Sequence, residues 1–89
     1  MTARQASVAI IGAGDYIGAA IARRFAAEGY LVFAGRRNGE KLENLRQEIE
    51  AARARIVTRS LDARDEHQVI AFLAEAERAA PLEVRCRPR

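Results

Sequence analysis

The sequence predicts an α/β chain built on a parallel sheet, and three observations carry that expectation. Short apolar runs alternate with stretches of helical periodicity. The first run, Ser7 to Ile11, is continuous rather than alternating, as a strand covered on both faces requires. A glycine-rich segment, Gly12 to Gly18, joins that run to the first helical stretch. With 89 residues there is room for one domain or part of one.

Each element follows in order. Ser7-Val8-Ala9-Ile10-Ile11 reads as a buried strand stopped by Gly12. Ile17, Ala20, Ile21 and Phe25 recur at spacings of three and four, which predicts a helix with one apolar face. Gly29 suits the position after its C-terminus, where positive φ is favoured. Tyr30 to Gly35 is the second strand. A second helix is expected over Glu40 to Ala54, with Leu42, Leu45, Ile49 and Ala52 on one face. Ile56 to Leu61 is a weaker third strand, and Arg59 places it toward a sheet edge. Asp65 caps a third helix, with Gln68 three residues on as in a capping box. Val69, Phe72, Leu73 and Ala76 form its apolar stripe, and Pro81 breaks it. Leu82-Glu83-Val84 starts a fourth strand.

Alternation of this kind implies right-handed crossovers and a parallel sheet. The order β-α-β-α-β-α with a truncated fourth strand is half of a doubly wound Rossmann fold. We expect a single partial domain over 1–89, with 82–89 foreign to the fold. Arg85, Cys86, Arg87, Pro88 and Arg89 suit a central buried strand poorly, as a shifted reading frame or truncated gene would. Without a good fourth strand, Val8 to Ile11 would be an exposed edge open to self-association.

Composition excludes several classes. Hydrophobic residues at 49% and charged residues at 30% are a globular balance. The longest apolar runs fall well short of the roughly 18 residues that cross a bilayer, and Met1 to Gln5 does not open a signal peptide. One cysteine, Cys86, excludes an internal disulfide framework and a cysteine-rich zinc site. One histidine, His67, argues against a transition-metal centre and is expected in solvent. The expected setting is cytoplasmic. Net charge is +3, but most charges lie in mixed-sign stretches such as Glu40 to Arg55, which read as solvated faces. A nucleic-acid role for the C-terminal arginines lacks aromatic platforms, because Phe25, Phe33 and Phe72 are needed in the core.

The chemistry lies in Gly12-Ala13-Gly14-Asp15-Tyr16-Ile17-Gly18. A glycine at the strand end permits a sharp turn. Close backbone approach and the free N–H groups of the following helix then favour a pyrophosphate. The third glycine of the commonest dinucleotide fingerprint falls five residues after the first, where Ile17 stands; here it falls six after, at Gly18.

With that spacing, the stretch from Val8 to Arg37 resembles the opening of the short-chain dehydrogenase/reductase family. Gly12, Ile17 and Gly18 match the family's Gly-x-x-x-Gly-x-Gly motif, and Tyr16 replaces its middle glycine. Tyr16 adds bulk beside the pyrophosphate path, and Gly14 restores backbone freedom two residues earlier. The resemblance implies binding of a dinucleotide cofactor. At the end of the second strand stand Arg36 and Arg37, with no acid before Glu40. Arginines there suit the 2′-phosphate of NADP, whereas an acid would suit the ribose of NAD. NADP is expected in preference to NAD. Asp62 and Ala63 resemble the family's adenine-contacting pair, with stabilisation of the next turn or helix start as the alternative reading of Asp62.

The resemblance also implies a Ser–Tyr–Lys arrangement, with tyrosine and lysine four residues apart. The only lysine is Lys41, and Arg37 stands four before it. No catalytic residue is therefore assigned. The expected role is the NADP-binding segment of a hydride-transferring oxidoreductase. A non-catalytic nucleotide-binding or regulatory module is the alternative.

Overall fold

A computed structural model describes residues 5–12 and 16–86. Four parallel strands, β1 (Ser7–Ile11), β2 (Leu31–Arg36), β3 (Arg55–Ser60) and β4 (Leu82–Cys86), lie in the order β3-β2-β1-β4. Between them run α1 (Tyr16–Ala27), α2 (Glu43–Ala51) and α3 (Glu66–Ala79). Helices cover both faces, as the α/β expectation requires.

Alternation along the strands divides the core in two. Val8, Ile10, Val32 and Ala34 meet Ala22, Ala26, Leu45 and Ile49 on the α1–α2 side. Ala9, Ile11 and Phe33 meet Val69, Phe72 and Ala76 on the α3 side. Phe33 and Phe72 cross edge to face, with ring centroids 6.2 Å apart. All five residues of β1 are buried, which accounts for its uninterrupted apolar run. β3 takes the outer position that Arg59 suggested, and Arg59 pairs with Glu75 of α3 at 2.5 Å.

Four expectations need correction. First, the fourth strand does not stop at Val84. β4 runs to Cys86 and pairs with β1 through Val8↔Val84, Ala9↔Arg85 and Ile10↔Cys86, after an irregularity at Ser7/Val8. A ladder is made by backbone N–H and C=O groups, which arginine carries like any other residue. β1 is therefore an inner strand, and among the described residues β4 forms one edge of the sheet and β3 the other. Pro88 lies outside them.

Second, the buried stripe of α1 is only partly the expected one: Ile21 and Phe25 pack against the core, but Ala20 does not. Gly18, Ala22 and Ala26 are buried, Ile21 and Phe25 are half-buried, and Ala20 is exposed. The side chain of Ile17 lies outside the described residues. Small residues four apart let the helix axis approach the sheet, so the bulky side chains flank the contact instead of filling it.

Third, the segment expected as one helix over Glu40 to Ala54 is divided. A 3-10 turn, Gly39–Leu42, is capped by Asn38, whose side chain accepts from the Glu40 amide at 3.1 Å. α2 then ends at Ala51. The Ala54 amide donates to the Ile49 carbonyl at 3.1 Å and the Arg53 amide to Glu50 at 2.9 Å. That is a Schellman closure with Arg53 at φ 63°, in the left-handed region. α1 closes the same way, through Tyr30 to Phe25 and Gly29 to Ala26, with Gly29 at φ 95° as expected.

Fourth, the capping box at α3 is half made. Asp65 accepts from the amides of His67 and Gln68 at 3.0 and 3.3 Å. Gln68 does not accept from the Asp65 amide. Its Oε1 accepts from the Asp62 amide at 2.8 Å, and the Asp65 amide donates to the Asp62 carbonyl.

Candidate cofactor site

The predicted site residues converge on one edge of the sheet because parallel strands end on the same side. Gly12 follows β1, Arg36 ends β2 and Arg37 follows it, and Asp62 and Ala63 follow β3. Such a C-terminal edge is where ligands bind in open α/β sheets. Two backbone bonds extend the ladder there. The Gly12 amide donates to the Gly35 carbonyl at 2.6 Å, and the Leu61 amide donates to the Arg36 carbonyl at 2.9 Å.

Local backbone demands explain two glycines. Gly12 has φ 91°, so the turn out of β1 needs a residue without a Cβ. At Gly35 space is the constraint: an added Cβ would collide with Leu61 Cδ2 and approach Phe72 Cζ to 3.2 Å. The glycine before the arginines thus lets β2 pass under Leu61. Gly14 lies outside the described residues. Tyr16 and Ile17 open α1 by their backbone, with side chains outside the described residues. Gly18 is buried in the first turn of α1.

The two arginines differ. Arg36 is half-buried, and its Nε is buried without a hydrogen-bond partner. An Nε–H held this way gives up solvation without a protein partner in return. Arg37 is 71% exposed, with Nη2 3.8 Å from Asp62 Oδ2. The structure therefore joins the end of β2 to the turn after β3.

Asp62 is the most tightly held side chain of the group. Its Oδ1 accepts from the Arg64 amide at 2.9 Å and from Arg64 Nε at 3.3 Å. Oδ2 takes Arg64 Nη2 at 3.5 Å. The Arg64 amide bond, then the Arg64 guanidinium, holds the Asp62 carboxyl below its ordinary value, with Arg37 a lesser cause. Ala63 is exposed in the same turn. Arg64 and Gln68 were not among the predicted site residues. Gln68 carried a signal, as a capping partner; Arg64 stands in sequence as one arginine among many.

A dinucleotide's features find matching groups here. Gly12 and the first turn of α1 offer backbone to a pyrophosphate, and Arg36 and Arg37 offer cations to a 2′-phosphate. The orphaned Arg36 Nε fits a site completed by an anion. Beside it, a cavity of about 220 Å³ lies between the end of β3 and α3, lined by Ser60, Leu61, Gln68 and Phe72 among others. Among the described residues no helix is long and apolar enough to cross a membrane.

Comparison with known proteins adds the following. The family described as short chain dehydrogenase matches residues 6–84. A short-chain dehydrogenase from Rhodopseudomonas palustris is 67% identical, with a TM-score of 0.94 over 96% of this chain and 40% of that one. A variant actinorhodin polyketide ketoreductase with NADPH is 33% identical, with a TM-score of 0.85 over 98% of this chain and 34% of that one. A metagenomic short-chain oxidoreductase in complex with NADP is 28% identical, with a TM-score of 0.85 over 93% of this chain and 38% of that one. The chain thus spans 40% or less of the length of these relatives. No curated protein matches it.

Proposed function

Because this chain belongs to the short-chain dehydrogenase family, we propose that it is the NADP-binding portion of an oxidoreductase acting between an alcohol and a carbonyl. The observation that carries the proposal is the meeting of Arg36 and Arg37 with the Gly12 turn on one sheet edge, with no acid at the end of β2. Two relatives described with NADPH or NADP support the choice of cofactor.

NADP, when bound, supplies the hydride-carrying nicotinamide. The residues of this chain bind and orient it. Gly12, Gly14, Tyr16, Ile17 and Gly18 form the turn and helix start that face the pyrophosphate. Arg36 and Arg37 take the 2′-phosphate by charge-assisted bonds, which NAD cannot return. Asp62 and Ala63 border the adenine. The proposed setting is cytoplasmic, in keeping with a single cysteine. Self-association through a sheet edge would use β3 or β4, the outer strands among the described residues, and not β1.

Titration with NADPH and NADH tests the cofactor assignment. The chain should bind NADPH more tightly than NADH, and an Arg36→Ala/Arg37→Ala variant should lose about tenfold in NADPH affinity or more. NADH affinity should change little. Equal affinity for both cofactors, unaltered in the variant, would remove the arginines from this role.

A further inference from the structure

Asp62 stands between two arginines that hold it unequally. Arg64 engages it three times, through its amide at 2.9 Å, Nε at 3.3 Å and Nη2 at 3.5 Å. Arg37 reaches only Oδ2, at 3.8 Å. The Asp62 backbone is fixed as well, since its amide donates to Gln68 Oε1 at 2.8 Å, and Gln68 Nε2 donates to Asp65 Oδ2 at 3.0 Å. The carboxylate cannot follow Arg37 without leaving this frame.

An unshared Asp62 would compete with a ligand phosphate for Arg37. Both are oxyanions, and Coulomb attraction at these distances makes an aspartate an effective intramolecular rival. Arg64 supplies the competing cation. It takes both carboxylate oxygens and leaves Arg37, 71% exposed, as the loosest partner.

We propose that Arg64 is a specificity-determining residue that acts through Asp62, drawing its carboxylate away so that Arg37 is free for the 2′-phosphate of the cofactor. The inference rests on the NADP reading above. It assigns selectivity to the turn after β3 as well as to the end of β2. Arg64 is a positioning residue in this account, not a phosphate ligand. The depressed proton affinity of Asp62 is owed first to the Arg64 backbone amide; among the side chains the Arg64 guanidinium comes before Arg37, in agreement with the distances.

A double-mutant cycle on the whole chain separates the roles. The probes are 2′,5′-ADP, which carries the second phosphate, and 5′-AMP, which lacks it, at about 0.15 M salt so that remote charges are screened. Arg64→Gln should weaken 2′,5′-ADP binding about threefold more than it weakens 5′-AMP binding, the scale of an exposed ion pair. Asp62→Asn should strengthen 2′,5′-ADP relative to 5′-AMP. In the Asp62→Asn background, Arg64→Gln should have no further effect, because the rival is gone. Arg64→Lys, which keeps a cation where Arg64→Gln keeps only the backbone amide, should retain most of the selectivity. An equal loss from Arg64→Gln in both backgrounds would make Arg64 a direct phosphate contact and overturn the inference. So would no loss in either background. A wild-type chain that binds 2′,5′-ADP and 5′-AMP equally would instead overturn the NADP reading on which the inference rests.

Discussion

Arg53 carries left-handed backbone at φ 63° where α2 closes, the position that Gly29 fills after α1. Side chains with a Cβ pay roughly 1–2 kcal/mol there, partly offset by the greater chain entropy that glycine would lose. Arg53→Gly should therefore raise stability by about 0.5–1 kcal/mol, read from denaturant midpoints. Gly29 was legible in the sequence because glycine marks such turns; Arg53 was not, because a non-glycine residue leaves no mark. Ser7 is a second residue whose role the sequence hid. It reads as the polar start of an apolar run, yet it is wholly buried. Its hydroxyl lies 2.9 Å from the Ala80 carbonyl and 3.2 Å from the Ala76 carbonyl, which also accepts from the Ala80 amide, so it ties the start of β1 to the end of α3. Ser7→Ala should cost about 1 kcal/mol in equilibrium unfolding. Asp62 carries the pH dependence. Its folded-state carboxyl titrates below the ordinary 3.8, so its contribution to stability is present above that value. The contribution is lost as pH falls through the folded-state value. A carboxyl titration followed by NMR should place Asp62 below 3.8, and Arg64→Gln should move it back toward 3.8.

At the scale of elements, continuous runs proved easier to read than faces. Ser7–Ile11 occupies the expected strand, its four successive apolar residues buried on both faces as a covered strand requires. The stripe of α3 also follows from spacing, with Val69, Phe72 and Ala76 buried. α1 is harder to read because bulk does not mark its most buried face: Gly18, Ala22 and Ala26 are buried, and Ile21 and Phe25 flank them. That difference predicts a particular sensitivity. Ala22 is fully buried between helix and sheet, so Ala22→Leu should overpack the contact and destabilise by about 1–3 kcal/mol in thermal unfolding. Leucine at Ala20, which is exposed, should change stability by less than about 0.5 kcal/mol. Within the turn after β3, the site was legible in Asp62 but not in the grip of Arg64, since that pairing depends on how α3 is capped. Gln68 Oε1 accepts from the Asp62 amide, while the Asp65 amide that a capping box would give it donates to the Asp62 carbonyl.

Across the whole molecule, the alternation of strands and helices made the parallel sheet legible, and the sheet in turn gathers the glycine turn, the arginines and Asp62. The extent of β4 was not legible. Whether Arg85 joins a strand depends on the free edge that β1 offers, and the sequence of β4 carries no record of its neighbour. The central claim is that the cofactor meets the C-terminal edge of the sheet. Amide chemical shifts recorded during NADPH titration test it most directly. The account predicts saturable shifts at Gly12, Arg36, Arg37, Asp62 and Ala63, with those at Arg36 and Arg37 much smaller for NADH. Shifts confined to the opposite edge, around Gly29, Arg53 and Arg55, would contradict it.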